Sequence, residues 1–351
     1  MADTLAANPH DSSTTVLLTG ASGAIGVHTL IHLLKNTDWH IIALASYKHK
    51  GYWDRIETAL TTTEHDPSRV TLFTHDLNAP FSSREIEALQ STNYILNLAA
   101  LSDVYDSIED PVPFIQNNIN STLYMLELAR ALPDLHSFIQ FSTDEVYGPC
   151  EKDSPGHKEW DTILPSNPYA ASKAAQEAIA IAYWRSYSVP VIITNTMNNF
   201  GQMQGASKYT ALIQNRLTQN APIAVHTASD GQIGTRYYIH SRNASDALLY
   251  ILTHLPATRH TPGEIDRPDR YNVVGDRQMD NLELARLISD LMEIPLTYTT
   301  VDFHSEQPGH DLHYGLDGSK LKEAGWISPV TFEDSMRSTI QWQQENPRWM
   351  K

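Results

Sequence analysis

The chain has 351 residues, 41% of them apolar, which is enough for a substantial core and too apolar for a disordered chain. A formal charge of −16 disfavours nonspecific binding to nucleic acid or an anionic membrane, although a few local cations and helix N-termini suffice to hold a diphosphate. The single cysteine, Cys150, excludes an intrachain disulfide and makes the cytoplasm the expected compartment.

Met1 to Ser13 is polar, lacks the basic-then-apolar layout of a secretory signal, and reads as a flexible extension. Thr15–Leu18 is strand-like, and a glycine turn leads from it into a helix over Ala24–Leu34. Trp39–Ala45 reads as a second strand, followed by a charged helical stretch at Tyr52–Leu60. Val70–Phe73 and Tyr94–Leu98 are further strands. Next come a helix at Ile115–Ala131, a strand at Ser137–Ser142, a helix at Tyr169–Tyr187 and a strand at Val189–Thr194. Short apolar strands alternating with amphipathic helices predict an α/β fold, a Rossmann-type doubly wound parallel sheet. From Asn195 onward the pattern becomes mixed, with a strand at Tyr271–Val274 and helices at Leu282–Met292 and Phe332–Gln344. The expected division is a dinucleotide-binding domain over 14–194, with a later contribution near 236–255. A smaller mixed α/β substrate domain is expected over 195–351. No apolar run reaches membrane-spanning length, and there is no tandem repeat or low-complexity tract.

Gly20-Ala21-Ser22-Gly23-Ala24-Ile25-Gly26 lies between the first strand and the first helix. Glycines there permit a tight turn and close approach of the backbone to a pyrophosphate, while the helix N-terminus supplies amide donors. Taken alone, such a triplet also fits an ordinary structural turn. The second strand runs out through Ala45-Ser46-Tyr47-Lys48-His49-Lys50, without the acid that bonds a ribose 2′-hydroxyl, and Asp38 lies at the wrong end. Ala45, Ser46 and the nearby cations Lys48, Lys50 and Arg55 suit a 2′-phosphate, so the reading favours NADP over NAD. These lysines equally suit solvated surface charge. Asp76-Leu77, after the third strand, is placed to meet the adenine ring.

Tyr169 and Lys173 share one helix face at i, i+4 spacing, and an ammonium beside a phenol favours the phenolate. Upstream stands Ser142-Thr143-Asp144-Glu145-Val146-Tyr147-Gly148. Of two adjacent carboxyl groups, one can act as a general acid and the other as a base, provided their surroundings push their pKa values apart. Asp144 and Glu145 would also suit a solvated loop. The histidines show no metal-ligand spacing, and no metal site is expected.

Together these motifs resemble the extended short-chain dehydrogenases/reductases, and within them the sugar-nucleotide 4,6-dehydratases such as those acting on dTDP-glucose. The resemblance spans nearly the whole chain. It also takes in Asn97-Leu98-Ala99-Ala100, Asn167-Pro168-Tyr169, Asn195-x2-Asn198-Asn199-Phe200-Gly201, Arg236, Tyr271-Asn272 and Pro308-Gly309-His310-Asp311. It implies a nucleotide cofactor held by Gly20, Ser22, Gly23, Ala24, Ile25, Gly26, Ala45, Ser46, Lys48, Asp76, Leu77, Leu98, Ala99 and Ala100, with Tyr169 and Lys173. The implied cofactor is bound tightly and regenerated in each turnover. Tyr169, assisted by Lys173 and Thr143, would take the C4 hydroxyl proton. Glu145 would remove the C5 proton, and protonated Asp144 would release the C6 hydroxyl as water. Return of the hydride to C6 gives an NDP-4-keto-6-deoxyhexose.

For the substrate, the resemblance implies Asn198, Arg236 and His310 at the diphosphate with Asn199 and Asn272 nearby, His226 flanking the base, and Ser102 in the sugar-lining segment. Two departures stand out. The histidine motif begins with Gln307 where the family has arginine, and Leu101-Ser102-Asp103-Val104-Tyr105 replaces Glu-Ser-His-Val-Asp. They leave dTDP- and UDP-linked hexoses and N-acetylhexosamines open. They also admit return of hydride to C4 with a 5,6-ene product. A 4-epimerase or reductase, or a non-catalytic dinucleotide-binding protein, would carry the same glycine turn and fold. Ile115–Ala131 and Tyr169–Tyr187 resemble the helix pair of a homodimer interface, although their apolar faces equally suit a core.

Overall fold

Short runs of aliphatic and β-branched residues build the centre of the molecule. In chain order the strands are β1 (Thr15–Thr19), β2 (His40–Ala45), β3 (Val70–Thr74), β4 (Tyr94–Asn97), β5 (Ser137–Thr143), β6 (Val191–Thr196), β7 (Asn198–Phe200), β8 (Ile223–Thr227), β9 (Thr235–His240), β10 (Asp269–Val273), β11 (Gln278–Asp280) and β12 (Tyr298–Asp302). The helices are α1 (Ala24–Asn36), α2 (Trp53–Thr62), α3 (Ser83–Ala88), α4 (Val104–Glu109), α5 (Pro111–Ala131), α6 (Pro168–Tyr187), α7 (Tyr209–Thr218), α8 (Ser241–His254), α9 (Asn281–Met292), α10 (Ser319–Glu323) and α11 (Phe332–Glu345). The computed structural model describes residues 6–48, 51–152, 154–263, 266–302 and 309–350.

Seven strands form one parallel sheet in the order β10-β6-β5-β4-β1-β2-β3. Every residue of β1, β5 and β6 is buried, as expected for strands covered on both faces by crossover helices. One face packs on α1 and α8 through Val27, Leu30, Leu248 and Ile251. The other packs on α5 and α6 through Met125, Leu126, Ala180 and Trp184. The strand order reverses between β1 and β4, and in a doubly wound sheet that reversal opens a crevice at the carboxyl ends of the strands. Both the glycine turn and the end of β5 lie on that side.

A second core gathers Phe200, Ile213, Leu217, Leu284, Ile288, Phe332 and Met336 around α7, α9 and α11. Two small sheets accompany it, β11-β9-β7 and β12-β8. Most element limits fall within a few residues of those read from the sequence. The strand expected at Tyr271–Val274 is β10, and it pairs in parallel with β6 as the sheet's seventh strand, Tyr271 opposite Thr194. Periodicity identifies a strand but carries nothing about which sheet receives it. The three-residue strands β7 and β11 are too short to show a period at all.

Candidate active site

Thr19 closes the turn after β1. Its hydroxyl donates to Asn97 Oδ1 at 2.9 Å and accepts the amides of Leu98 and Ala99 at 3.0 Å each, which ties the ends of β1 and β4 together. Gly20 follows with φ +68°, and a Cβ there would stand 3.1 Å from Ala99 Cα. At Gly26 a Cβ would come 2.0 Å from the Gly20 carbonyl oxygen, so α1 packs on the turn only because that side chain is missing. Gly23 caps α1 without a side-chain hydrogen bond, and the first turn, which holds Ala24 and Ile25, has no acid. The positive end of the helix is therefore left for an anion. With Ser22 buried beneath and Ala99 and Ala100 half-buried opposite, these residues fit the diphosphate of a dinucleotide.

Beyond β2, Ala45 is buried and Ser46 half-buried. Lys48 Nζ lies 2.6 Å from Asp76 Oδ2, and this bond is the main cause that holds the Asp76 carboxyl below its ordinary range. Leu77 is buried beside it. Arg55 departs from the expectation of a cation open to a 2′-phosphate. It is 3% exposed, its Nε donates to the Met203 carbonyl and its Nη1 to the Ser22 carbonyl, both at 3.0 Å. Burial brings it down to about 10. An amphipathic helix start conceals this, because a charged residue at its first turn looks solvated. His49 and Lys50 lie outside the described residues.

β5 delivers the acids. Thr143 caps a 3-10 turn over Asp144–Tyr147, where its hydroxyl oxygen accepts from the Glu145 amide at 3.4 Å and its hydroxyl donates to Asp144 Oδ1 at 2.9 Å. Asp144 is only 2% exposed, and its Oδ2 is buried with no hydrogen-bond partner among the described residues. Burial, with Glu145 adding, pushes the Asp144 carboxyl up to about 7 against the opposing Thr143 and Arg236. Glu145 is part-buried and is also raised, again by burial first. The Asn167 side chain, Arg236 and Lys208 oppose the rise. The pair is thus no solvated loop.

α6 carries the other half. Tyr169 is buried, near enough to the Thr143 side chain for that hydroxyl to oppose the rise of its phenol. Its phenol is pushed upward by burial and then by Glu145 and Asp144, the reverse of the lowering expected from lysine spacing alone. Burial outweighs the lysine, whose Nζ turns to the Phe141 carbonyl at 2.7 Å inside a site that also holds two acids. Burial lowers Lys173 to about 8, while Glu177, one turn further on, opposes this.

The substrate candidates separate. Asn198 is exposed at the start of β7, whereas Asn199 Nδ2 donates to the Met197 carbonyl at 3.0 Å and its Oδ1 is buried with no partner among the described residues. Arg236 on β9 donates to the carbonyls of Thr235, Leu312 and Asp311 at 2.8, 2.7 and 2.7 Å and stacks 4.5 Å over the Tyr314 ring. Its field reaches both acids. His226 is half-buried in β8, opposite Val301 of β12. The Ser102 carbonyl accepts from Lys208 Nζ at 3.4 Å, and Asp103 caps α4 while pairing with Lys208 at 3.7 Å. His310 is half-buried next to Gly309, while Gln307 and Pro308 lie outside the described residues. Asn272 departs from the expectation of a pocket residue. Its amide is buried and joins the carbonyls of His157 and Asp317 at 2.9 and 3.0 Å, stapling backbone in the interior.

Four side chains around the site, Arg270, Glu177, Asn195 and Asn167, were given no role from the sequence, although Asn167 and Asn195 stand in its motifs. Arg270 Nη2 meets Glu177 Oε2 at 2.7 Å, and Arg270 Nη1 donates to the Tyr147 hydroxyl at 3.0 Å. Asn195 Nδ2 joins Glu177 Oε1 at 2.8 Å to the Thr143 carbonyl at 3.0 Å. Asn167 donates to Glu145 at 3.0 Å. Only Asn167 gave a readable signal, an asparagine just before a proline at a helix start.

A family profile described as GDP-mannose 4,6 dehydratase matches residues 17–339. The chain is 31% identical over 347 residues to the dTDP-glucose 4,6-dehydratase of Haemophilus influenzae, covering 93% of this chain and 97% of that protein. It is 30% identical over 345 residues to a trifunctional UDP-glucose 4,6-dehydratase, 3,5-epimerase and reductase of Arabidopsis thaliana. That match covers 95% of this chain, and the chain spans 48% of the plant protein. The crystal structure of a dTDP-glucose 4,6-dehydratase from Streptomyces venezuelae with NAD and TYD bound superposes with a TM-score of 0.80 at 26% identity, over 96% of this chain and 100% of that one. The UDP-glucuronic acid 4-epimerase of Bacillus cereus shares the fold, at TM-score 0.82 and 20% identity over 95% of this chain and 100% of that one. The matched length, the glycine cradle and the paired acids agree: the chain belongs to the GDP-mannose 4,6 dehydratase family, the NAD(P)-dependent sugar-nucleotide 4,6-dehydratases of the extended short-chain dehydrogenases/reductases.

Proposed function

We propose that the chain converts an NDP-hexose to the NDP-4-keto-6-deoxyhexose by oxidation at C4, loss of water across C5–C6 and return of the hydride to C6. The observation that carries this reading is Asp144, a buried carboxyl raised to about 7 with one oxygen unpartnered among the described residues, directly beside Glu145. A carboxylic acid kept protonated near neutrality can give its proton to a departing hydroxyl, which a simple hydride-transfer site has no use for.

A nicotinamide dinucleotide held by the Gly20–Gly26 turn would supply the hydride acceptor and donor. Tyr169 accepts the C4 hydroxyl proton, with Thr143 beside the phenol and Lys173 one turn away. The resulting ketone acidifies C5, whose proton passes to Glu145. Asp144 then protonates the C6 oxygen as the C–O bond breaks and water leaves. As hydride returns to C6, the proton held by Glu145 goes back to C5, and the proton taken by Tyr169 replaces the one Asp144 gave up. Arg236, whose field lowers both acids, limits how far the two carboxyls are raised.

The substrate we propose is dTDP- or UDP-linked, on the strength of the relatives' named activities. NADP is proposed ahead of NAD, because β2 ends in Ala45-Ser46 with no acid for a 2′-hydroxyl and Lys48 stands close by. Homodimerisation through α5 and α6 and a cytoplasmic location complete the proposal. Among the described residues no helix is long and apolar enough to cross a membrane.

Mass spectrometry of products from dTDP-, UDP-, GDP- and CDP-sugars tests the reading. The expected product has lost one water with no net use of cofactor, and NMR separates the 4-keto-6-deoxy product from a 5,6-ene. An unchanged mass, or stoichiometric consumption of reduced cofactor, would overturn it. Size-exclusion chromatography with light scattering tests the dimer, and binding isotherms for both cofactors test their order.

A further inference from the structure

Asn167 is 5% exposed and uses every polar atom of its side chain. Oδ1 accepts the Ala170 amide at 2.8 Å, which caps α6 two residues ahead of Tyr169. Nδ2 donates to Glu145 Oε2 at 3.0 Å and to the Gly309 carbonyl at 3.1 Å. Gly309 has φ +103°, and a Cβ there would come within 3.1 Å of the Ser166 carbonyl oxygen and 3.6 Å of Asn167 Cβ. The segment from Gly309 onward therefore rests directly on this asparagine.

A helix cap needs only an acceptor, which serine, threonine or aspartate supplies equally well. A carboxamide alone adds two N–H donors while staying neutral. We propose that Asn167 is a positioning residue for proton abstraction, in which one amide aims the Glu145 carboxylate and fastens the Gly309–His313 segment to the same point. The role given to Glu145 rests on the dehydratase reading.

Several charged or titratable groups face Glu145. Asp144 comes from its own turn, Tyr169 from α6, Arg236 from β9, Lys208 from the start of α7, and Asp311 and Tyr314 from the segment after Gly309. Among the groups opposing the rise of Glu145, the Asn167 side chain contributes first, ahead of Arg236 and Lys208.

Asn167→Asp and Asn167→Ser both keep the capping acceptor, and Asp cannot donate to Glu145 while Ser has a shorter reach. In the full chain, kcat for dehydration is expected to fall roughly ten- to a hundredfold in both with KM little changed, and the acid limb of the kcat profile to move to higher pH. A wild-type profile in both variants would overturn the proposal. So would an equal loss at all pH values accompanied by a lowered Tm, which a purely capping role predicts. A second readout does not depend on activity. The 13C signal of the Glu145 carboxyl, assigned with Glu145→Gln, should titrate at higher pH in both variants, and an unmoved titration sinks the proposal. Should the wild type dehydrate no NDP-sugar while that titration still moves, the dehydratase reading fails and the Asn167–Glu145 coupling stands.

Discussion

Arg270 and Glu177 meet at 2.7 Å with side chains only 1% and 0% exposed, and through that contact the edge strand β10 holds the helix that bears Lys173. The guanidinium also reaches the Tyr147 hydroxyl, and Glu177 reaches Asn195 and so the Thr143 carbonyl. Both limbs of the site, α6 and the turn after β5, hang from one buried pair.

Removing one partner leaves the other charged and unpaired in the interior. Arg270→Met or Glu177→Gln is expected to destabilise the fold by about 3–5 kcal/mol, measured by urea unfolding at neutral pH. The double variant should lose clearly less than the sum of the two single losses. Additive losses would show that the pair does not act as a unit.

Asp144→Asn removes the acid and should lower kcat roughly 10²–10⁴-fold with the dinucleotide still bound. The native carboxyl sits at about 7 against an ordinary 3.8, so the folded state binds the proton more tightly than the unfolded chain. The stability it contributes is therefore lost as pH rises from about 4 to 7. Above that window Asp144→Asn should unfold at a higher urea concentration than the wild type, while at pH 4 the two should converge.

Lys173 titrates the other way. Its native value of about 8 lies below the ordinary 10.5, so the unfolded chain holds the proton longer and stability rises with pH across that interval. Activity should do the reverse. The wild-type rate is expected to decline as pH passes through 7 to 8, when first Asp144 and then Lys173 lose their protons. Steady-state pH-rate measurements check this, and Lys173→Met should abolish C4 oxidation without unfolding the chain.

Arg55 joins the Ser22 carbonyl of the glycine turn to the Met203 carbonyl beyond β7. Arg55→Lys keeps the charge and loses the planar fork, so the turn should loosen. Dinucleotide affinity is expected to weaken by about tenfold in calorimetry, corresponding to about 1.4 kcal/mol. Unchanged affinity would place the arginine in folding alone.

What the sequence disclosed and what it hid follow from the range of each interaction. The glycine turn, the Thr143–Glu145 string and the Tyr169–Lys173 spacing are local, because a turn, a cap and one helical step each fall within a few residues. The Arg270–Glu177 pair joins residues 93 apart, and no local pattern marks either as buried. Arg55 and Asn272 depart from their expected places for the same reason, since burial is decided by distant segments such as Met203 and Asp317. The direction of the Tyr169 shift is hidden too, because it depends first on burial and then on two acids brought in from the end of another strand.

The sheet's last strand has a consequence for the order in which the chain can be made. Six of the seven strands have left the ribosome by Thr196, yet β10 begins only at Asp269. Until then Glu177 has no arginine to meet, and closing the sheet would bury a carboxylate held by Asn195 with no countercharge. Closure of the sheet during synthesis is therefore expected only after the intervening strands and α7 and α8 have emerged, and a chain arrested before Arg270 is expected to be cleaved by protease where the full chain resists.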